Sequence, residues 1–85
     1  MQDLLKSLVK IKITPSVYKS LPEGPGIYVF FRGQTPIYIG KAINLKRRVS
    51  SYFDLDLAPK TQKMVDSANF LSFIRVESEF ESLLL

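Results

Sequence analysis

The chain contains no cysteine, no histidine and no tryptophan, and none of its apolar runs approaches the length of a membrane span. Without cysteine there is no disulfide framework, no thiolate metal site and no thiol nucleophile. Without histidine, the commonest general base and the commonest transition-metal ligand are both missing. Any metal would therefore be a hard cation held by oxygen. The opening "MQDLLKSLVK" lacks the long apolar centre of a secretory signal, so the sequence predicts a soluble, cytoplasmic chain with no membrane partner.

What is present is enough for one small domain. Of 85 residues, 46% are hydrophobic, with four tyrosines and six phenylalanines. A chain of this size buries roughly 60–65% of its unfolded surface, and this composition is not that of a disordered segment. The net charge of +4 is unevenly placed. Residues 24–53 hold Arg32, Lys41, Lys46, Arg47 and Arg48 and no acid, which leaves −1 for the rest. A basic segment inside a compact domain points to a polyanionic partner, although solvating charge on an exposed helix face is the commoner origin of such runs.

Leu4, Leu5, Leu8 and Val9 fall at helical spacing and predict a short N-terminal helix. "TPSVYKSLPEGPG" reads as irregular approach chain, giving an N-terminal segment over 1–20 and a domain over 21–85. "GIYVFF" and "PIYIG" are β-rich runs joined by "RGQT", a hairpin. Side chains alternate along a strand, so Tyr28 and Tyr38 share a face if the loop has an odd number of residues. A three-residue loop around Gly33 achieves this; a two-residue Gly33–Gln34 turn places them on opposite faces, and the sequence allows both.

Asn44 can cap a helix running to about Tyr52, with Leu45 and Val49 inward and Asn44, Arg48 and Tyr52 along one face. Pro59 suits the first turn of a second helix whose core positions are Thr61, Met64, Val65 and Ala68. "FLSFIRVE" reads as a third strand, with Phe70, Phe73, Ile74 and Val76 in the core. Ser78 followed by Glu81 forms a capping-box pattern ahead of "SLLL". That announces a last helix, which is expected to be cut short at Leu85.

Gly26-Ile27-Tyr28, then Tyr38-Ile39-Gly40, then Lys41 and Arg48, resemble the GIY-YIG nuclease family. Within it, "LPEGPGIYVFF" and "PIYIGKAINLKRRVSSYF" are most similar to the N-terminal nuclease domains of the excinuclease ABC subgroup. The resemblance implies an α+β fold, a small three-stranded antiparallel or mixed sheet flanked by helices. The implied order is β-β-α-α-β-α, here with an extra N-terminal helix. It implies cleavage of a DNA phosphodiester bond with a divalent metal, magnesium or manganese. The expected actor is a monomeric domain that works with other excinuclease subunits.

Carried over by position, Tyr28 and Tyr38 are the active-site tyrosines, Tyr28 by preference helping to deprotonate the attacking water. Lys41 steadies the neighbouring tyrosine and favours its ionisation, and Arg48 clamps the scissile phosphate. Tyr52 matches a further active-site tyrosine, or is a core residue at a helix end. Gly26, Gly40 and Asn44 are structural: Gly40 permits close approach of backbone and Asn44 caps. Lys46 and Arg47, and more weakly Lys60 and Lys63, are candidates to touch DNA phosphates. With no histidine, a phenol is among the few bases available, and its ordinary pKa of about 10 needs nearby cations to make it useful.

The family's metal-binding glutamate is expected at the position directly after Leu85, so the chain as written is expected to cleave poorly. Glu77, Glu79 and Glu81 are the nearest substitutes, but Glu81 sits roughly 140° away around a helix. Two other readings stand beside the excinuclease one: a stand-alone nuclease of the same family, and a non-catalytic DNA-binding module of the same fold.

Overall fold

The two β-rich runs do form a hairpin. In the computed structural model, which describes residues 8–54 and 56–77, strand β2 (Gly26–Arg32) pairs antiparallel with β3 (Thr35–Ala42). The sheet also holds β1 (Ile11–Lys12) and β4 (Phe70–Arg75), in the order β1-β4-β2-β3, and every pairing is antiparallel. Only three of these strands are expected from the sequence, because β1, at two residues, is too short to show a period. The last helix expected after Ser78 lies outside the described residues.

The hairpin resolves the parity question in an unforeseen way. Arg32 pairs with Thr35, so the turn is the two-residue Gly33–Gln34, with Gly33 at φ +62. A positive φ at the first central position alone is what a type II′ turn requires. Its Gly33 N–H donates to Asn69 Oδ1 at 2.7 Å. Yet Tyr38 stands opposite Phe30 and Tyr28 opposite Gly40, which places both tyrosines on one face. A bulge between Phe30 and Phe31 makes up the difference: Ile37 is the extra residue and packs against the core. As an edge strand of the sheet, β3 also tolerates Pro36.

Helix α1 (Leu45–Ser50) follows β3 and continues as a 3-10 turn over Ser51–Phe53. Asn44 caps it as the sequence predicts, its side chain accepting from the Arg47 N–H at 3.0 Å. The remaining early N–H groups find partners in the chain before β2: Leu45 donates to the Gly24 carbonyl at 2.9 Å and Lys46 to that of Pro22 at 3.2 Å. The proline- and glycine-rich approach is thus a docking cradle for a helix six residues long, far too short to persist alone. Leu45 and Val49 are fully buried, each contributing about 1.5–3 kcal/mol by removal from water. Gly26 is required beneath them, since a β-carbon there would meet Leu45 Cδ1 and the Ile74 carbonyl at 2.5 and 2.6 Å.

Helix α2 (Pro59–Ser67) begins at Pro59, as read, and buries Val65, with Met64 and Ala68 packed against the core and Thr61 only half-buried. The main cluster lies on the Tyr28 face of the sheet and joins Phe30 and Leu71 to Leu45, Val49, Val17 and Leu21. One expectation lies mostly outside the described residues, and another fails in part. Residues 1–7 lie outside the described residues, but Val9 is not helical and is 82% exposed. Ile11 instead pairs with Leu71, and a 3-10 turn at Val17–Ser20 carries Val17 into the core. In β4 the buried residues are Leu71 and Ser72; Phe73 is half-buried and packs against the core, whereas Phe70, Ile74 and Val76 are only half-buried. Leu71 stands opposite Phe30 on the helix-covered face, and it is this residue of β4 that enters the core directly.

Candidate active site

Four aromatic rings meet on the helix-covered face of the hairpin. Tyr28, from the middle of β2, is 2% exposed, and its ring lies against Gly40 directly across the ladder. A β-carbon at Gly40 would strike the Tyr28 phenol at Cζ and the hydroxyl. The glycine therefore admits a tyrosine ring rather than a ligand's backbone approach. The Tyr28 hydroxyl is 2.7 Å from that of Tyr52, which the 3-10 turn after α1 brings across the sheet. Tyr38 completes a triangle, its ring centroid 6.2 Å from Tyr28 and 6.4 Å from Tyr52. Phe30 forms the floor, 6.0 Å from Tyr28 and 5.1 Å from Tyr52, both edge-to-face. Nothing in the motif marked Phe30; its place two residues beyond Tyr28 on the same strand face is the signal that could have found it.

Exposure sorts the three phenols. Tyr38 is 42% exposed on the edge strand, Tyr52 is half-buried, and Tyr28 is enclosed. Burial pushes the Tyr28 phenol above its ordinary value of 10.0. The hydrogen bond with Tyr52 and the charge of Arg48 pull the other way without offsetting it. Tyr52 is pushed up further, by burial first and then by its bond to Tyr28. At neutral pH both are neutral phenols. The sequence expects nearby cations to favour ionisation of the phenol; Arg48 does act in that direction on Tyr28, but desolvation is larger.

Beside the rings lies an open cleft of about 560 Å³, lined by Lys41, Ile43, Asn44, Arg47, Arg48 and Ser51. Lys41 is the penultimate residue of β3; Arg47 and Arg48 project from α1, both exposed. Lys41, Arg47 and Arg48 are thus gathered on one concavity, while Lys46 is half-buried and lines none of it. Lys60 and Lys63 are exposed on α2, also outside the cleft. Asn44 holds its cap and its amide comes within 3.5 Å of Glu23 Oε1. Among the described residues no three acidic, cysteine or histidine side chains come together. Glu77 is described and exposed, while Glu79 and Glu81 lie outside the described residues. The described walls of the cleft therefore suit a phosphate and do not by themselves form a cation site.

The chain matches the family model of the UvrC-like GIY-YIG domain over residues 24–85. It is 47% identical over 70 residues to the UvrABC system protein C of Thermosipho africanus, an alignment covering 82% of this chain and 12% of that protein. The Corynebacterium jeikeium protein of the same name is 49% identical over 67 residues, 75% of this chain and 10% of that one. The chain thus spans about an eighth or less of the curated relatives it matches. The fold superimposes with a TM-score of 0.73 on the GIY-YIG N-terminal endonuclease domain of UvrC from Thermotoga maritima bound to magnesium as its catalytic divalent cation. That match has 36% identity and covers 79% of this chain and 74% of that one. By its motif, its fold and these likenesses, the chain belongs to the UvrC-like GIY-YIG domain family.

Proposed function

We propose that this domain hydrolyses a DNA phosphodiester bond, as the incision nuclease of a nucleotide-excision-repair system working in the cytoplasm with partner excinuclease subunits. The observation that carries the proposal is the juxtaposition of a neutral, hydrogen-bonded phenol pair with a cleft that, among the described residues, holds three cations and no carboxylate. Phosphoryl chemistry needs an activated water and positive charge where negative charge accumulates. The likeness to a magnesium-bound endonuclease domain supports the reaction class.

In this reading Arg48 holds the scissile phosphate in the cleft, with Lys41 and Arg47 on the flanking phosphates or the backbone beside it. Arginine suits the task because its planar fork grips phosphate oxygens in pairs. Tyr28 is the base, neutral at rest. As it gives up its proton, the Tyr52 hydroxyl donates to the new phenolate and Arg48 faces it with positive charge, the two influences that already oppose burial. Tyr38, the exposed member, positions the water. A bound divalent cation, magnesium or manganese, would supply Lewis-acid charge at the phosphate. Its carboxylate ligand belongs, on this reading, outside the described residues.

The test is nicking of supercoiled plasmid with magnesium, by this chain and by a form lengthened along its own gene. Arg48→Ala is expected to lower the rate about a hundredfold or more while leaving the circular-dichroism spectrum unchanged. Undiminished nicking by Arg48→Ala would overturn the assignment. DNA binding without nicking in either form would favour a non-catalytic binding module of the same fold.

A further inference from the structure

Ile43 stands 63% exposed and lines the cationic cleft together with Lys41, Arg47 and Arg48. Single exposed aliphatic residues are ordinary on protein surfaces. Ile39, 54% exposed on β3, is one that lines no part of the cleft. Ile43 differs in two ways. Its backbone is pinned from both sides: Ala42 is buried and paired with Gly26, and Asn44 is fixed by its bond to the Arg47 N–H. Its surroundings are cations whose counterpart is a polyanion, so an apolar tip is presented, at fixed height, where a nucleic-acid backbone is drawn in.

We propose that Ile43 acts as an apolar wedge against the bases beside the phosphate held in the cleft, so that the domain prefers DNA whose stacking is already weakened there. This rests on the phosphate-binding reading above and adds to it a preference for locally distorted duplex. Phosphates drawn into the cleft bring the sugars and base edges of their strand to its rim, where the exposed tip of Ile43 stands. A branched apolar side chain there meets the apolar surface of those sugars and bases. Side chains of this type enter between base steps and unstack them, at a cost that falls when the step is already unpaired.

The test uses short duplexes, identical except for one mismatched step, and fluorescence anisotropy in chelator so that binding is read without cleavage. The chain is expected to bind the mismatched duplex about threefold more tightly than the paired one. Ile43→Ser is expected to remove that preference, weakening binding to the mismatched duplex about threefold, or ~0.6 kcal/mol, and leaving the paired duplex unchanged. Its salt dependence should be unchanged, because no phosphate contact is lost. Ile39→Ser should behave as the unsubstituted chain. Both positions are exposed, and circular dichroism checks that each variant folds. If Ile43→Ser keeps the preference, or Ile39→Ser loses it equally, the wedge is wrong while salt-dependent binding to paired DNA leaves the phosphate reading intact. If the unsubstituted chain binds neither duplex, both readings fall together.

Discussion

The phenol of Tyr28 occupies the space a side chain would take at Gly40, its direct partner across the β2–β3 ladder. The last glycine of the second motif tripeptide is thus explained by the tyrosine of the first. Gly40→Ala forces the enclosed ring outward, away from Tyr52, and such overpacking costs about 1–3 kcal/mol. Thermal unfolding is expected to show that loss in the unsubstituted background and a clearly smaller one with Tyr28→Leu. Equal losses in both backgrounds would mean that the glycine serves some other purpose.

The hydroxyl pair at 2.7 Å predicts coupling between Tyr28 and Tyr52. Each Tyr→Phe change leaves one partner without its bond, at about 1 kcal/mol, and the double change should cost less than the sum. Denaturant titration of the four proteins in a double-mutant cycle measures the interaction. A coupling of zero would show that the bond adds nothing to the folded state.

The same pair fixes the sign of a pH dependence. Both phenols are raised above their ordinary value in the folded chain, so above pH 10 the unfolded chain releases protons that the folded one retains. Stability is therefore full below pH 10 and declines as the pH climbs beyond it. Tyr28→Phe and Tyr52→Phe should each flatten that decline. For catalysis, a base that is neutral at rest makes the cleavage rate climb about tenfold per pH unit from neutrality, with no plateau short of pH 10. A plateau near neutrality would remove Tyr28 from the role of base.

The hairpin, the Asn44 cap and the start of α2 at Pro59 were legible because each is written in local chemistry: turn residues, a capping side chain, a proline that suits a first turn. The three phenols of the candidate site were legible through the motif, but not their order of burial. That order follows from β2 lying inside the sheet and β3 at its edge, while the bulge at Ile37, which no glycine or asparagine announces, is what brings Tyr28 and Tyr38 to one face. The cradle for α1 was hidden for a different reason. Its acceptors are the main-chain carbonyls of Pro22 and Gly24, and a carbonyl's aim cannot be read from side-chain identity. The gathering of Lys41, Arg47 and Arg48, without Lys46, likewise depends on the angle at which the cradle seats the helix.

That dependence gives the final prediction. Asn44 satisfies one early N–H of a helix only six residues long, and this helix carries two of the three cleft cations. Asn44→Ala should cost about 1 kcal/mol of stability; Asn44→Ser should restore most of it, and Asn44→Asp should restore the cap but give back part of the gain because its carboxylate faces Glu23. The two rescuing variants then separate positioning from charge. Both recover the cap and so the seat of Arg47 and Arg48, but Asn44→Asp adds a carboxylate to a cleft wall that has none among the described residues. DNA affinity at low salt, read by anisotropy, should therefore recover with serine and fall with aspartate. Recovery with both would mean that phosphate does not approach Asn44, and would move the binding track away from the start of α1.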